Sequence, residues 1–253
     1  MNLLDRPEVQ QALFHPRVEY GAAAVCPVAV EVEPNLTVGG RLYPAQADAP
    51  AILFYHGNGE IAADYDQIAR LYTQMDVTLL VVDYRGYGRS GGTPAASNLL
   101  ADAVTVFDAL GRVLKENRLI PSRLYVMGRS LGSAAAIEVA SHAAGRLAGL
   151  IIESGFSDTF ALLARLGVGV RGADEERDGF GNGVKMARIN TPTLIIHGGS
   201  DVLIPAADGR ELYDRCAADD KRWVLIPDGG HNDLMMVGLT AYLEAVREFV
   251  HAE

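Results

Sequence analysis

Short apolar runs alternate with amphipathic stretches along nearly the whole chain, and this alternation leaves few folds open. Residues 51–55, 78–82, 124–127, 150–152, 193–196 and 223–226 are rich in Val, Ile and Leu and mostly bounded by Gly, Pro, Asp or Ser, which marks them as strands. Their continuous apolarity predicts strands buried on both faces, as in parallel sheets. Between them, 96–115 carries Leu100, Ala103, Val104, Phe107, Leu110 and Leu114 at three- and four-residue steps, and Leu239, Tyr242, Leu243, Val246, Phe249 and Val250 repeat the pattern near the end. Upstream, 24–33 and 36–43 predict a pair of antiparallel edge strands, with Val28, Val30 and Val32 on one face. The expectation is an α/β fold built on a mostly parallel, eight-stranded, doubly wound sheet.

A chain of 253 residues suits one such domain, residues 1–253. One segment breaks the rhythm. Residues 157–190 hold a possible short helix at 159–166 and then GVRGADEERDGFGNG, longer than an ordinary connection, and predict an insertion over the sheet edge. Its acidic DEERD run is expected to be a solvated face. DGFGNG has too few alternating carboxylates for a calcium loop.

A net charge of −10 argues against nucleic-acid binding and against anionic membrane surfaces. No apolar run approaches the ~18 residues that span a bilayer, and the N-terminus lacks a signal-peptide pattern, so no stable membrane insertion and a cytoplasmic location are expected. The two cysteines, Cys26 and Cys216, lack metal-ligand spacing and are expected to be reduced core thiols.

The stretch VMGRSLGSA places Ser130 between Gly128 and Gly132, after an apolar strand and before an alanine-rich helix start. That pattern predicts a tight strand–turn–helix corner that raises a serine nucleophile at the carboxyl end of a parallel strand. A serine hydroxyl needs a base. Of six histidines, His15, His142 and His251 are expected at the surface, and His56 and His197 close strands. His231, in PDGGHND, follows the last strand on a glycine-rich loop and is the expected base. Asp201, in HGGSDVLIP, is the expected carboxylate partner; Asp158 is the more serious rival, with Asp228 and Asp233 too near His231 in the chain. The oxyanion donors are expected to be the backbone N–H groups of Leu131 and of Asn58 in HGNG. His56 is expected to hydrogen-bond its own loop and has no partners for zinc.

The order Ser130, Asp201, His231, together with HGNG at 56–59, DYRGYGRSGG at 83–92, GRSLGS at 128–133 and GGHND, resembles the α/β-hydrolase superfamily over roughly 36–249. The pairing of H-G-N with D-Y-R-G-Y-G-x-S resembles the branch that includes eukaryotic protein depalmitoylases and bacterial relatives of unassigned substrate. The resemblance implies the α/β-hydrolase fold with a small lid at about 157–190, and a serine hydrolase of esters or thioesters acting on a small molecule without metal or cofactor. The depalmitoylase role is not carried over, because those proteins reach membranes through a cysteine-rich segment that is not found here. As a lid, 157–190 would shape the acyl pocket with Phe156, Phe160, Leu163, Leu166 and Phe180. Asp83, Arg85, Gly86 and Gly88 are expected to build a loop, with Tyr84 or Tyr87 as minor substrate contacts. Arg129 is expected to form a structural salt bridge, or else to pair with an anionic substrate group. Two other functions stay open: a small-peptide peptidase, and a non-catalytic binding protein on the same fold.

Overall fold

The structure is a computed structural model that describes residues 3–20, 26–143 and 145–252. Eight strands form one sheet: β1 (Pro27–Glu33), β2 (Leu36–Tyr43), β3 (Ala51–Tyr55), β4 (Thr78–Val82), β5 (Leu124–Arg129), β6 (Gly149–Glu153), β7 (Thr193–Gly198) and β8 (Lys221–Ile226). Their order is β1-β2-β4-β3-β5-β6-β7-β8, with β2 antiparallel to both neighbours and every later pairing parallel. The two edge strands pair as expected, Val28 opposite Gly40 and Val30 opposite Val38. Residues 24 and 25, at the start of the expected first strand, lie outside the described residues.

Strand β3 shows why continuous apolarity marks the centre of the sheet. All five of its residues are buried. Leu53 and Tyr55 face one core and Ile52 and Phe54 face the other, as a two-residue repeat requires. The first core is covered by α1 (Pro7–Leu13), α3 (Ala96–Glu116), α4 (Gly132–His142) and α8 (Ala206–Arg215). The second is covered by α2 (Ala69–Gln74), α9 (Leu234–Val237) and α10 (Leu239–Val250).

Four details differ from the expectations. In α3 the expected Ala103, Phe107, Leu110 and Leu114 are buried together with Leu99, Val106 and Val113, while Leu100 and Val104 are half-buried. The helix is apolar over more than one stripe, and the core takes the side that adds Leu99, Val106 and Val113. Strand β8 lies at the end of the sheet, so it is half-exposed rather than buried on both faces; only Ile226 is fully inside. Cys26 is exposed ahead of β1, and only Cys216 is a core thiol; neither forms a disulfide. Beyond the expected short helix, α5 (Thr159–Arg165), the segment between β6 and β7 forms two more, α6 (Glu175–Asp178) and α7 (Asn182–Met186). Within the acidic run, Glu175 turns inward and accepts hydrogen bonds from Thr159 N–H (2.8 Å), the Thr159 hydroxyl (2.9 Å) and Gly181 N–H (2.9 Å). That carboxylate ties the start of the insertion to Gly181.

Candidate active site

Ser130 occupies the turn between β5 and α4 with φ +52°, a left-handed conformation that is strained for a residue with a side chain. Its neighbours hold it there. Ser130 N–H donates to the Glu153 carbonyl (2.9 Å), and the Ser130 carbonyl accepts from Ser133 N–H (2.9 Å) and the Ser133 hydroxyl (2.6 Å). The flanking glycines are needed for space: a Cβ on Gly128 would strike the Gly132 carbonyl, and one on Gly132 would strike the Tyr55 carbonyl.

The three residues read from the sequence as nucleophile, base and acid form one hydrogen-bonded chain. Asp201 Oδ2 lies 2.8 Å from His231 Nδ1, and His231 Nε2 lies 2.9 Å from Ser130 Oγ. A carboxylate can only accept, so the proton sits on Nδ1 and leaves Nε2 to receive the serine hydroxyl. The Asp201 side chain is fully buried, and its second oxygen accepts from Leu203 N–H (2.9 Å) and Ile204 N–H (2.8 Å). Burial raises this carboxyl, but His231 and the Ile204 N–H outweigh it and hold it below the ordinary value. The rivals are engaged elsewhere: Asp158 caps α5 through Ala161 N–H (2.7 Å), and Asp233 accepts from Gly230 N–H (2.6 Å). His197 is buried beside Asp201 with Nε2 on the Ile204 carbonyl (2.8 Å), and burial keeps it neutral by lowering its pKa.

A small cavity adjoins Ser130. Asn58 and Leu131, the expected oxyanion donors, line it together with Ala12, Leu13, Leu162, Leu166, Leu203 and Ile204. Of the side chains expected to form the pocket, only Leu166 does so. Phe156, Leu163 and Phe180 are packed in the core, Phe156 against Phe180 at 6.1 Å, and Phe160 packs half-buried against that core. The reason is helical phase: Leu162 and Leu166 lie four residues apart on one face of α5, and Leu163 points a hundred degrees away. The opposite wall was not legible in advance. It comes from α1, which begins with Pro7 at its first turn and turns Leu13 inward.

The HGNG loop is clamped from several sides. Asn58 Oδ1 accepts from His15 N–H (2.8 Å) and from the Tyr87 hydroxyl (2.9 Å), while the Tyr84 hydroxyl donates to the His56 carbonyl. The two tyrosines therefore hold this loop. His56 Nδ1 lies 2.8 Å from the Gly57 carbonyl, within its own loop. Arg85 forms a buried two-pronged pair with Asp102 (2.6 and 2.7 Å) and reaches Glu33 (2.8 Å). Arg129 makes the expected internal salt bridges, to Glu153 (3.0 Å) and to Glu60. Among the described residues, no group of three His, Cys, Asp or Glu could hold a metal ion. No helix there is long and apolar enough to cross a membrane.

A mostly parallel eight-stranded sheet with a glycine-flanked serine at the corner after β5 is the architecture of the α/β hydrolases. Comparison with known proteins agrees. The chain matches the family described as serine aminopeptidase, S33, over residues 46–166 and 184–235. It is 31% identical over 229 residues to an uncharacterized protein of Mycobacterium tuberculosis, which covers 88% of this chain and 78% of the relative. It is 32% identical over 210 residues to the α/β-hydrolase domain-containing protein aho-3 of Caenorhabditis elegans, over 80% of this chain and 58% of that protein. In structure it resembles the Pyrococcus furiosus esterase Pf2001, with TM-score 0.73 at 19% identity over 93% of this chain and 97% of the other. It also resembles the Paleococcus ferrophilus monoacylglycerol lipase, with TM-score 0.65 at 17% identity over 84% and 98%. The chain belongs to the α/β-hydrolase superfamily, in the S33 family of hydrolases.

Proposed function

We propose that this protein is a serine hydrolase that cleaves a carboxylic ester or thioester through an acyl-enzyme on Ser130. The observation that carries the proposal is the chain Asp201–His231–Ser130, with distances of 2.8 and 2.9 Å, next to an apolar cavity. His231 Nε2 takes the hydroxyl proton as Ser130 Oγ bonds to the carbonyl carbon, and Asp201 stabilises the imidazolium. The N–H groups of Leu131 and Asn58 receive the developing oxyanion; neither donates to a protein acceptor among the described residues. Imidazolium returns its proton to the leaving alcohol or thiol. Water, deprotonated by the same histidine, then releases the acid.

The family's description raises a second reading, hydrolysis of short peptides from their amino end. Such a substrate carries an ammonium group close to the scissile bond and needs a free carboxylate nearby. The cavity at Ser130 has no acidic lining residue. An apolar acyl chain fits that lining better. A cytoplasmic protein with small-molecule ester substrates is the setting we propose.

The test is hydrolysis of p-nitrophenyl esters from acetyl to palmitoyl by wild type and Ser130→Ala. We expect activity that peaks at one chain length and is lost in the variant. Equal activity in the two proteins would contradict the proposal.

A further inference from the structure

Arg129 is the residue immediately before Ser130, and its guanidinium joins three parts of the site at once. Nη2 donates to the His231 carbonyl (2.6 Å) and to Asn232 Oδ1 (3.2 Å), on the loop that carries the base. Nε donates to Glu153 Oε1 (3.0 Å), and the Glu153 carbonyl anchors Ser130 N–H (2.9 Å). Nη1 donates to Glu60 Oε1, while Glu60 Oε2 accepts from Gly57 N–H (2.7 Å) and the Tyr65 hydroxyl (2.8 Å). Gly57 precedes Asn58, so this last arm ends on the oxyanion loop.

We infer that Arg129, with Glu60 as its relay, is the positioning residue that sets the base loop and the oxyanion loop against the Ser130 corner. A guanidinium suits this task because its donors form a fixed planar fork, and here each arm of the fork is used. Burial supports the assignment: the Arg129 side chain is 10% exposed and that of Glu153 is 8% exposed. Its charge is retained, since Glu153 and Glu60 more than offset the cost of burial. The glycine at position 57 is explained by the same contact, because a Cβ there would lie 2.5 Å from Arg129 Nη1.

Arg129 and Glu60 also line a cleft beside His231 that holds three carboxylates, Glu60, Asp64 and Glu153. The carboxylates of that cleft already have hydrogen-bond partners within the protein. Both oxygens of Glu60 and of Glu153 have partners inside the protein, and both of Asp64 bind Arg17. The charged groups hold one another and the loops.

The inference rests on the proposed serine chemistry, and its test separates the two. Wild type, Arg129→Lys and Glu60→Gln are assayed on the preferred p-nitrophenyl ester, with kcat expressed per site titrated by a fluorophosphonate and with the melting temperature measured alongside. Lysine keeps the charge but offers no planar fork, so it cannot serve Glu60, Glu153 and the His231 carbonyl together. Glutamine must surrender one of the three bonds Glu60 accepts. Misplacement of reacting groups by about 1 Å costs on the order of a hundredfold. We therefore expect kcat to fall roughly ten- to hundredfold in Arg129→Lys. In Glu60→Gln it falls by up to about tenfold, and KM changes less than about twofold in both, because neither residue lines the Ser130 cavity. A residue that only stabilised the fold would lower the melting temperature and leave kcat per titrated site unchanged. That outcome in both variants overturns the inference. A wild type that takes up no phosphonate would instead overturn the serine chemistry itself.

Discussion

Asp201→Asn is the substitution whose consequence follows most directly from the geometry. Asp201 Oδ1 accepts two backbone N–H groups, from Leu203 at 2.9 Å and Ile204 at 2.8 Å, and Oδ2 faces His231 Nδ1 at 2.8 Å. Asparagine has one oxygen and one NH₂. If the NH₂ faced the two N–H groups, donors would meet donors in a buried site and two hydrogen bonds would be lost, at about 1–3 kcal/mol for each orphaned group. The oxygen therefore stays on the backbone pair and the NH₂ turns to His231. It donates to Nδ1, which moves the imidazole proton to Nε2. The base then presents a donor to Ser130 Oγ and cannot take its proton. Wrong-tautomer variants of such triads lose about ten-thousandfold in kcat, about 5.4 kcal/mol of transition-state stabilisation at 1.36 kcal/mol per decade. The assay is kcat on the best p-nitrophenyl ester, beside thermal unfolding. The expected result is a loss near four decades with the fold intact. An Asp201→Asn protein within tenfold of wild type would refute the tautomer argument and the role of Asp201.

Other outcomes follow from the same structure. Leu162→Phe should fill part of the cavity and shift the preferred acyl chain to shorter esters, with acetyl ester turnover little changed; an unchanged chain-length profile would count against this wall. Gly132→Ala should destabilise by about 1–3 kcal/mol or more through overpacking against the Tyr55 carbonyl, read as a lower urea midpoint. Arg85→Gln should cost about 3–5 kcal/mol by leaving Asp102 buried without its partner, and a loss below about 1 kcal/mol would show the pair to be screened. The Asp201 carboxyl lies below its ordinary value in the folded protein, so the unfolded chain binds its proton more tightly. The stability it contributes is complete above the unfolded value, about 3.9, and is lost as pH falls through the folded value. Urea midpoints of wild type and Asp201→Asn should therefore converge as pH drops below about 4; a constant gap would contradict this.

The strands of the central sheet were legible because burial on both faces leaves an unbroken apolar run, and 51–55 and 78–82 coincide with β3 and β4. The corner at Ser130 was legible because its glycines are local requirements of one turn. Asp201 and His231 could be chosen because each follows a strand at the same edge of the sheet. The pocket was not legible. Phe160, Leu162, Leu163 and Leu166 are all apolar, so the sequence of α5 does not say which side meets the core and which the cavity. Helix α1 was missed because only Val9 and Leu13 are buried along its seven residues, too few for a periodic signal. The bond between Arg129 and Glu60 spans 69 residues and leaves no local pattern. The one available hint was the charged residue directly after HGNG. Exposure of β8 and the half-burial of Leu100 and Val104 in α3 are matters of position in the sheet and of packing, which periodicity does not encode.

Ser130 is, by this reading, an activated nucleophile. This is tested most directly by treating wild type, Ser130→Ala and His231→Ala with a fluorophosphonate and mapping the adduct by mass spectrometry. We expect one adduct, on Ser130, in wild type, none in Ser130→Ala and a strongly slowed reaction in His231→Ala. An unlabelled wild type, or an adduct on another residue, would contradict it.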